Sequence, residues 1–68
     1  MTTTYLINDM TCGHCVARVT QAVKGVDPDA TVQIDLASHT ARVEGADDPI
    51  AIAQAIRAAG YTPVQLPA

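Results

Sequence analysis

Both cysteines of the chain lie in one short stretch, Met10-Thr11-Cys12-Gly13-His14-Cys15. Two thiols separated by two residues can converge as thiolates on a soft ion such as Cu(I) or Zn(II), or act as a redox pair. As a structural staple they would do little, because a disulfide between them closes too short a loop to constrain the unfolded chain. The residues before the stretch read as a strand and those after it as a helix. A thiol at such a junction sits beside the free N–H groups of the helix start, which favour the thiolate. The ligand count separates the metals. A closed zinc site needs about four ligands, and the stretch offers two thiols and at most His14. Cu(I) is satisfied by two or three sulfurs.

The elements that must hold this stretch follow from periodicity. Thr3 to Asn8 alternates loosely and is rich in strand formers, with Tyr5 and Ile7 facing inward. Asp9 to His14 is the loop, and from Cys15 the pattern is helical. Val16, Val19, Ala22 and Val23 share one face; Arg18, Gln21 and Lys24 take the other, with Gly25 just past the helix end. Asp27-Pro28-Asp29 is a turn. Thr31 to Leu36 places Val32, Ile34 and Leu36 on one side, and Thr40 to Glu44 places Ala41 and Val43 inward, so the two runs form a hairpin. His39 sits at its tip, away from the thiols. Asp48 is positioned as an N-cap with Pro49 at the first helical position, followed by the face Ile52, Ala55, Ile56 and Ala59, and Gly60 ends the helix. Tyr61 to Leu66 is a last short strand with Val64 and Leu66 inward, and Pro63 assigns it to an edge. Strand, helix, strand, strand, helix, strand is the split βαβ, ferredoxin-like order. The fold class is α+β, a βαββαβ sandwich in which two helices cover one face of a four-stranded antiparallel sheet.

Composition narrows the function. A chain of 68 residues makes one domain, spanning 1–68. With no Trp or Phe, its core must come from Val, Ile, Leu and Ala, which is too little to surround a large organic substrate. A net charge of −3 with four scattered basic residues excludes a nucleic-acid footprint. No apolar run approaches the roughly 18 residues of a membrane span. The start Met1-Thr2-Thr3-Thr4-Tyr5 lacks a signal-like pattern, so the expected compartment is the reducing cytosol.

The pattern Met10-x-Cys12-x-x-Cys15 after a first strand, with Val16 and Val19 following, resembles the heavy-metal-associated domain of copper chaperones and of copper-transporting P-type ATPases. The resemblance extends along the whole chain to Ala55-Ile56-Arg57-Ala58-Ala59-Gly60-Tyr61. Asp9 stands where the family usually carries Gly. The resemblance implies a cytosolic Cu(I) chaperone, not an enzyme, with Cys12 and Cys15 as ligands and a copper-transporting P-type ATPase as partner. Met10 then anchors the loop in the core rather than offering its thioether. His14 is a solvated loop histidine, or an auxiliary ligand in a copper-bridged homodimer. Tyr61 resembles the residue that closes over the metal loop in bacterial chaperones; read without the family, it is a half-buried core tyrosine. Two other readings stay open: a metal-binding domain of a transporting ATPase, and a thiol-disulfide redox protein. The redox reading has less support, since thioredoxin-like enzymes are longer and carry Trp where Thr11 precedes Cys12.

Overall fold

The architecture follows from the first strand, β1 (Thr2–Ile7), whose β-branched and aromatic residues place Tyr5 and Ile7 on one face and Leu6 on the other. Tyr5 and Ile7 are fully buried. The structure is a computed structural model and describes residues 2–67. After β1 come α1 (Gly13–Val26), β2 (Thr31–Asp35), β3 (Thr40–Glu44), α2 (Pro49–Ala58) and β4 (Pro63–Gln65). The sheet order is β2-β3-β1-β4, with every neighbouring pair antiparallel. This is the ferredoxin-like sandwich expected from the sequence.

Register puts the inward residues in line. Tyr5 faces Ala41 and Thr3 faces Val43 across β1 and β3; Val32 faces Val43 and Ile34 faces Ala41 across β2 and β3. Val19 and Val23 of α1 and Ile52 and Ile56 of α2 close over this surface. The other face is wet, and there Arg42 pairs with Glu44 at 3.3 Å, both side chains about half exposed. Tyr5 also ties the layers together, since its hydroxyl donates to the Pro49 carbonyl at 2.7 Å. Burial, and then Asp48, pushes that phenol's pKa up.

Several local expectations change. The core is not made of Val, Ile, Leu and Ala alone: Tyr5 and Met10 are among its largest buried side chains, and no Leu is fully buried. Helix α1 starts at Gly13 rather than Cys15, because the Cys12 carbonyl already accepts from Cys15 and Val16 N–H at 3.0 and 3.2 Å. It also runs through Gly25 to Val26. The stop is Asp27, whose N–H bonds Val23 and whose carboxylate accepts from Asp29 N–H in the following turn. Strand β4 is an edge strand as expected, but its phase is shifted by one. Pro63 pairs with Ile7 and is buried, while Val64 pairs with Leu6 on the wet face and is 51% exposed. Proline counts as apolar filling when its missing donor faces the open edge.

The second helix matches its reading. The Asp48 carboxylate accepts from Ile50 and Ala51 N–H, both at 3.1 Å, with Pro49 at the first helical position. For a chain this size, total stability is about 3 to 10 kcal/mol. Ile56→Ala is expected to cost about 2 to 5 kcal/mol, and Val64→Thr to stay within about 0.5 kcal/mol. Urea unfolding of both variants checks the shifted phase, and a large cost at Val64 would contradict it.

Candidate metal centre

The thiols are delivered by a chain that leaves the core and surfaces within two residues. Past Ile7 a tight turn closes where Met10 N–H donates to the Ile7 carbonyl at 3.1 Å. The Met10 side chain is fully buried in the central core cluster. Thr11 and Cys12 are exposed. Cys12 adopts an extended conformation (φ −152, ψ 174) as the N-cap of α1, and no side chain caps the helix start. Its free N–H groups and positive dipole end therefore stay available to anionic sulfur. Cys15, on the first turn, is half-buried and packs against the core.

The two sulfurs lie 3.5 Å apart and both cysteines are free. That separation lies well beyond the S–S bond of about 2.05 Å. The Cys15 thiol is lowered from 9.0 to about 6. The main cause is the neighbouring Tyr61 hydroxyl, which favours the thiolate, followed by the Thr11 backbone and then the Cys12 side chain. The same contact with Cys15 raises the Tyr61 phenol, a shift that Arg18 opposes. Tyr61 reaches this position through the end of α2. Gly60, at φ +101, takes a left-handed conformation; its N–H donates to Arg57 and Tyr61 N–H to Ile56. The chain therefore reverses directly after the helix.

The sequence candidates divide accordingly. Cys12, Cys15 and Tyr61 come together. Met10 lies beneath them with its side chain in the core. His14 is exposed on the first turn of α1. Among the described residues, no three His, Cys, Asp or Glu side chains converge as a metal cluster, so the cysteines stand as a pair.

Two residues at the site escaped the sequence reading. Asp9, flagged only as a departure from a glycine, accepts from Thr62 N–H at 3.2 Å and so ties the loop to the segment carrying Tyr61. His39, placed by the sequence reading at a hairpin tip away from the thiols, is half-buried against the loop, with Nδ1 3.0 Å from the Met10 carbonyl. The topology held the signal for His39. Because β3 runs antiparallel to β1, the residue before Thr40 must lie beside the end of β1.

The Cys15 thiolate is favoured in the folded state. Its contribution to stability is therefore complete above the unfolded thiol's pKa and is lost as pH falls through about 6. Tyr61→Phe removes the largest cause. The variant's Cys15 is expected to titrate closer to the ordinary thiol value in thiolate ultraviolet absorbance. Its stability deficit against the parent should be widest at alkaline pH and vanish below about pH 6. Unchanged titration in Tyr61→Phe would contradict this account.

Comparison with known proteins agrees with the geometry. The heavy-metal-associated domain model matches residues 4–62. A segment of copper-transporting ATPase 2 of Rhizobium meliloti (strain 1021) is 38% identical over 65 residues, covering 93% of this chain but only 8% of the ATPase. A gold binding protein of known structure superposes with a TM-score of 0.88 at 34% identity, covering 94% of this chain and 98% of that one. The copper chaperone Atx1 from Synechocystis PCC6803, in a trimeric form, gives 0.85 at 33% identity, covering 90% and 97%. The chain belongs to the heavy-metal-associated domain family.

Proposed function

We propose that this chain carries Cu(I) as cargo on the thiolates of Cys12 and Cys15 and passes it to a thiol pair on a partner. The observation that carries the reading is the pair of free sulfurs 3.5 Å apart at an uncapped helix start. Two soft donors without a third suit Cu(I) better than tetrahedral zinc. Two thiolates and Cu(I) sum to a charge of −1, which the Tyr61 hydroxyl and the α1 N-terminus stabilise. Exposure of Cys12 leaves room for an incoming thiolate. Exchange then runs through a three-coordinate intermediate: a partner thiolate adds, one of the chain's own sulfurs leaves, and a second exchange completes transfer. The chain acts as a carrier and not as an enzyme. The partner is the metal-binding domain of a copper-transporting P-type ATPase, and the compartment is the cytoplasm.

A second reading has its own support. The match to the copper-transporting ATPase covers 93% of this chain and 8% of that protein, which supports reading the chain as a segment of a transporter. The mass of the polypeptide detected in its source cells separates a free carrier from a transporter segment.

Anaerobic competition with a Cu(I) chelator, run beside Zn(II), tests the cargo. Cys12→Ser and Cys15→Ser are each expected to lose high-affinity Cu(I) binding with the fold kept, since Cys12 is exposed and Cys15 lies half-buried on the first turn of α1, outside the fully buried core. Met10→Leu is expected to retain binding at a stability cost below about 1.5 kcal/mol. Loss of binding in a folded Met10→Leu would assign the thioether to the metal. Full binding in either serine variant would overturn the ligand pair.

Two thiolates leave Cu(I) open to further ligands. The metal-free protein is expected to be a monomer. The copper-loaded protein is expected to form a dimer bridged by Cys12 and Cys15, with the neighbour's His14 as an auxiliary ligand. A glutathione-like thiol competes for the open position and should dissolve the dimer without removing copper. Sedimentation with and without that thiol is the check, and a monomer at every copper ratio would refute the bridge.

A further inference from the structure

His39 adopts φ 56, a left-handed conformation uncommon for residues other than glycine, among which asparagine, aspartate and histidine enter it most readily. A glycine would take the same conformation without a ring, and here the ring meets the thiol loop. Each of its polar groups on the side of the thiol loop is engaged. Its carbonyl accepts from Ile7 N–H at 2.7 Å, where the loop begins. Its Nδ1 lies 3.0 Å from the carbonyl of Met10, where the loop turns outward toward Cys12. A carbonyl can only accept, so the ring carries a proton on Nδ1 and donates it. The residue is also fixed from its own turn, since its N–H donates to Leu36 at 3.4 Å, and Ser38 and Thr40 beside it share a hydroxyl contact at 2.8 Å.

Ile7 and Met10 are the two ends of one turn, closed by the bond from Met10 N–H to the Ile7 carbonyl. His39 therefore grips both ends of that turn from a neighbouring element. We propose that His39 is a positioning residue for the thiol loop: by holding the Ile7–Met10 turn at both ends it fixes the direction in which Thr11 and Cys12 leave the core. It touches neither sulfur and acts only through the Met10 carbonyl. Its consequence for Cu(I) rests on the function proposed above; its consequence for the loop does not. With the turn held before metal arrives, binding need not order the loop, and affinity rises by the ordering cost avoided.

The test uses two variants. His39→Gly keeps a residue suited to φ 56 and removes the ring. His39→Asn also tolerates that conformation and places an amide nitrogen at the same bond distance from Cβ as Nδ1. Amide hydrogen exchange in the metal-free protein is read at two sites. Ile7 N–H bonds the backbone of residue 39 and is expected to keep its protection in both variants. Met10 N–H is expected to lose about threefold to tenfold of its protection in His39→Gly, the size of one net hydrogen bond, and to regain it in His39→Asn. Cu(I) affinity by chelator competition is expected to fall and recover in parallel. Unchanged Met10 exchange in His39→Gly, or failure of a folded His39→Asn to restore it, overturns the proposal. If His39→Gly fails to fold, His39→Asn decides alone, with native Met10 protection expected. Exchange that behaves as expected in a protein that binds no Cu(I) leaves the positioning role standing and removes the copper reading.

Discussion

Met10 is fully buried, and two residues later Cys12 is exposed. That crossing from core to solvent is the constraint on which the rest of the site depends. A thiol pair that must meet another protein's thiolate has to lie at the surface, where little packs around it. A pair that must hold an ion has to keep its geometry. The chain combines an exposed thiol pair with a held backbone by putting the anchor next to the site rather than in it. The apolar Met10 side chain fills the core, where a flexible unbranched residue fits irregular space. The backbone on either side of it is held by Ile7, His39 and, through Asp9, Thr62.

The electrostatics follow the same division. Among the described residues, no polar or charged side chain other than the core tyrosine is buried. The molecule therefore spends little on desolvation and keeps Cys15 at the edge of the core. Cys15 is brought to about 6 by neighbouring polar groups and not by a cation, the Tyr61 hydroxyl contributing most. A hydroxyl stabilises a thiolate without forming an ion pair that would have to be broken when a metal or a partner arrives. The hydroxyl is supplied by the reversal after α2, where Gly60 takes a backbone conformation that few other residues would adopt. The position of a glycine thus bears on the acidity of a thiol encoded 45 residues earlier.

Much of this was legible in the sequence because it is periodic or local. Alternation placed Tyr5, Ile7, Ala41 and Val43, and helical spacing placed Val19, Val23, Ile52 and Ile56. Asp48 and Pro49 marked the start of α2 by their chemistry alone. The errors have physical causes. Gly25 suggests a stop because glycine often is one, whereas the chain is turned by Asp27 and its carboxylate. Val64 was turned inward because valine is apolar, whereas Pro63 took the inward site opposite Ile7. His39 and Asp9 were missed because their partners lie 29 and 53 residues away, and no periodicity reports a hydrogen bond between a side chain and a distant backbone.

Those two distant bonds have a common origin in the sheet order. In β2-β3-β1-β4, the strand that ends at the thiol loop is flanked on both sides, and both flanking strands run antiparallel to it. Each flanking strand therefore begins where β1 ends. The residues just before them, His39 ahead of Thr40 and Thr62 ahead of Pro63, must arrive beside the loop whatever their identity. A backbone N–H suffices at Thr62 because Asp9 supplies the acceptor. On the other flank the loop presents a carbonyl, so a donor must come from the side chain of residue 39. Both supports depend on completed strand pairing, because neither partner is near the loop in sequence. The loop's geometry is thus a property of the assembled sheet, and a peptide carrying only Met10 to Cys15 has the two thiols without the arrangement.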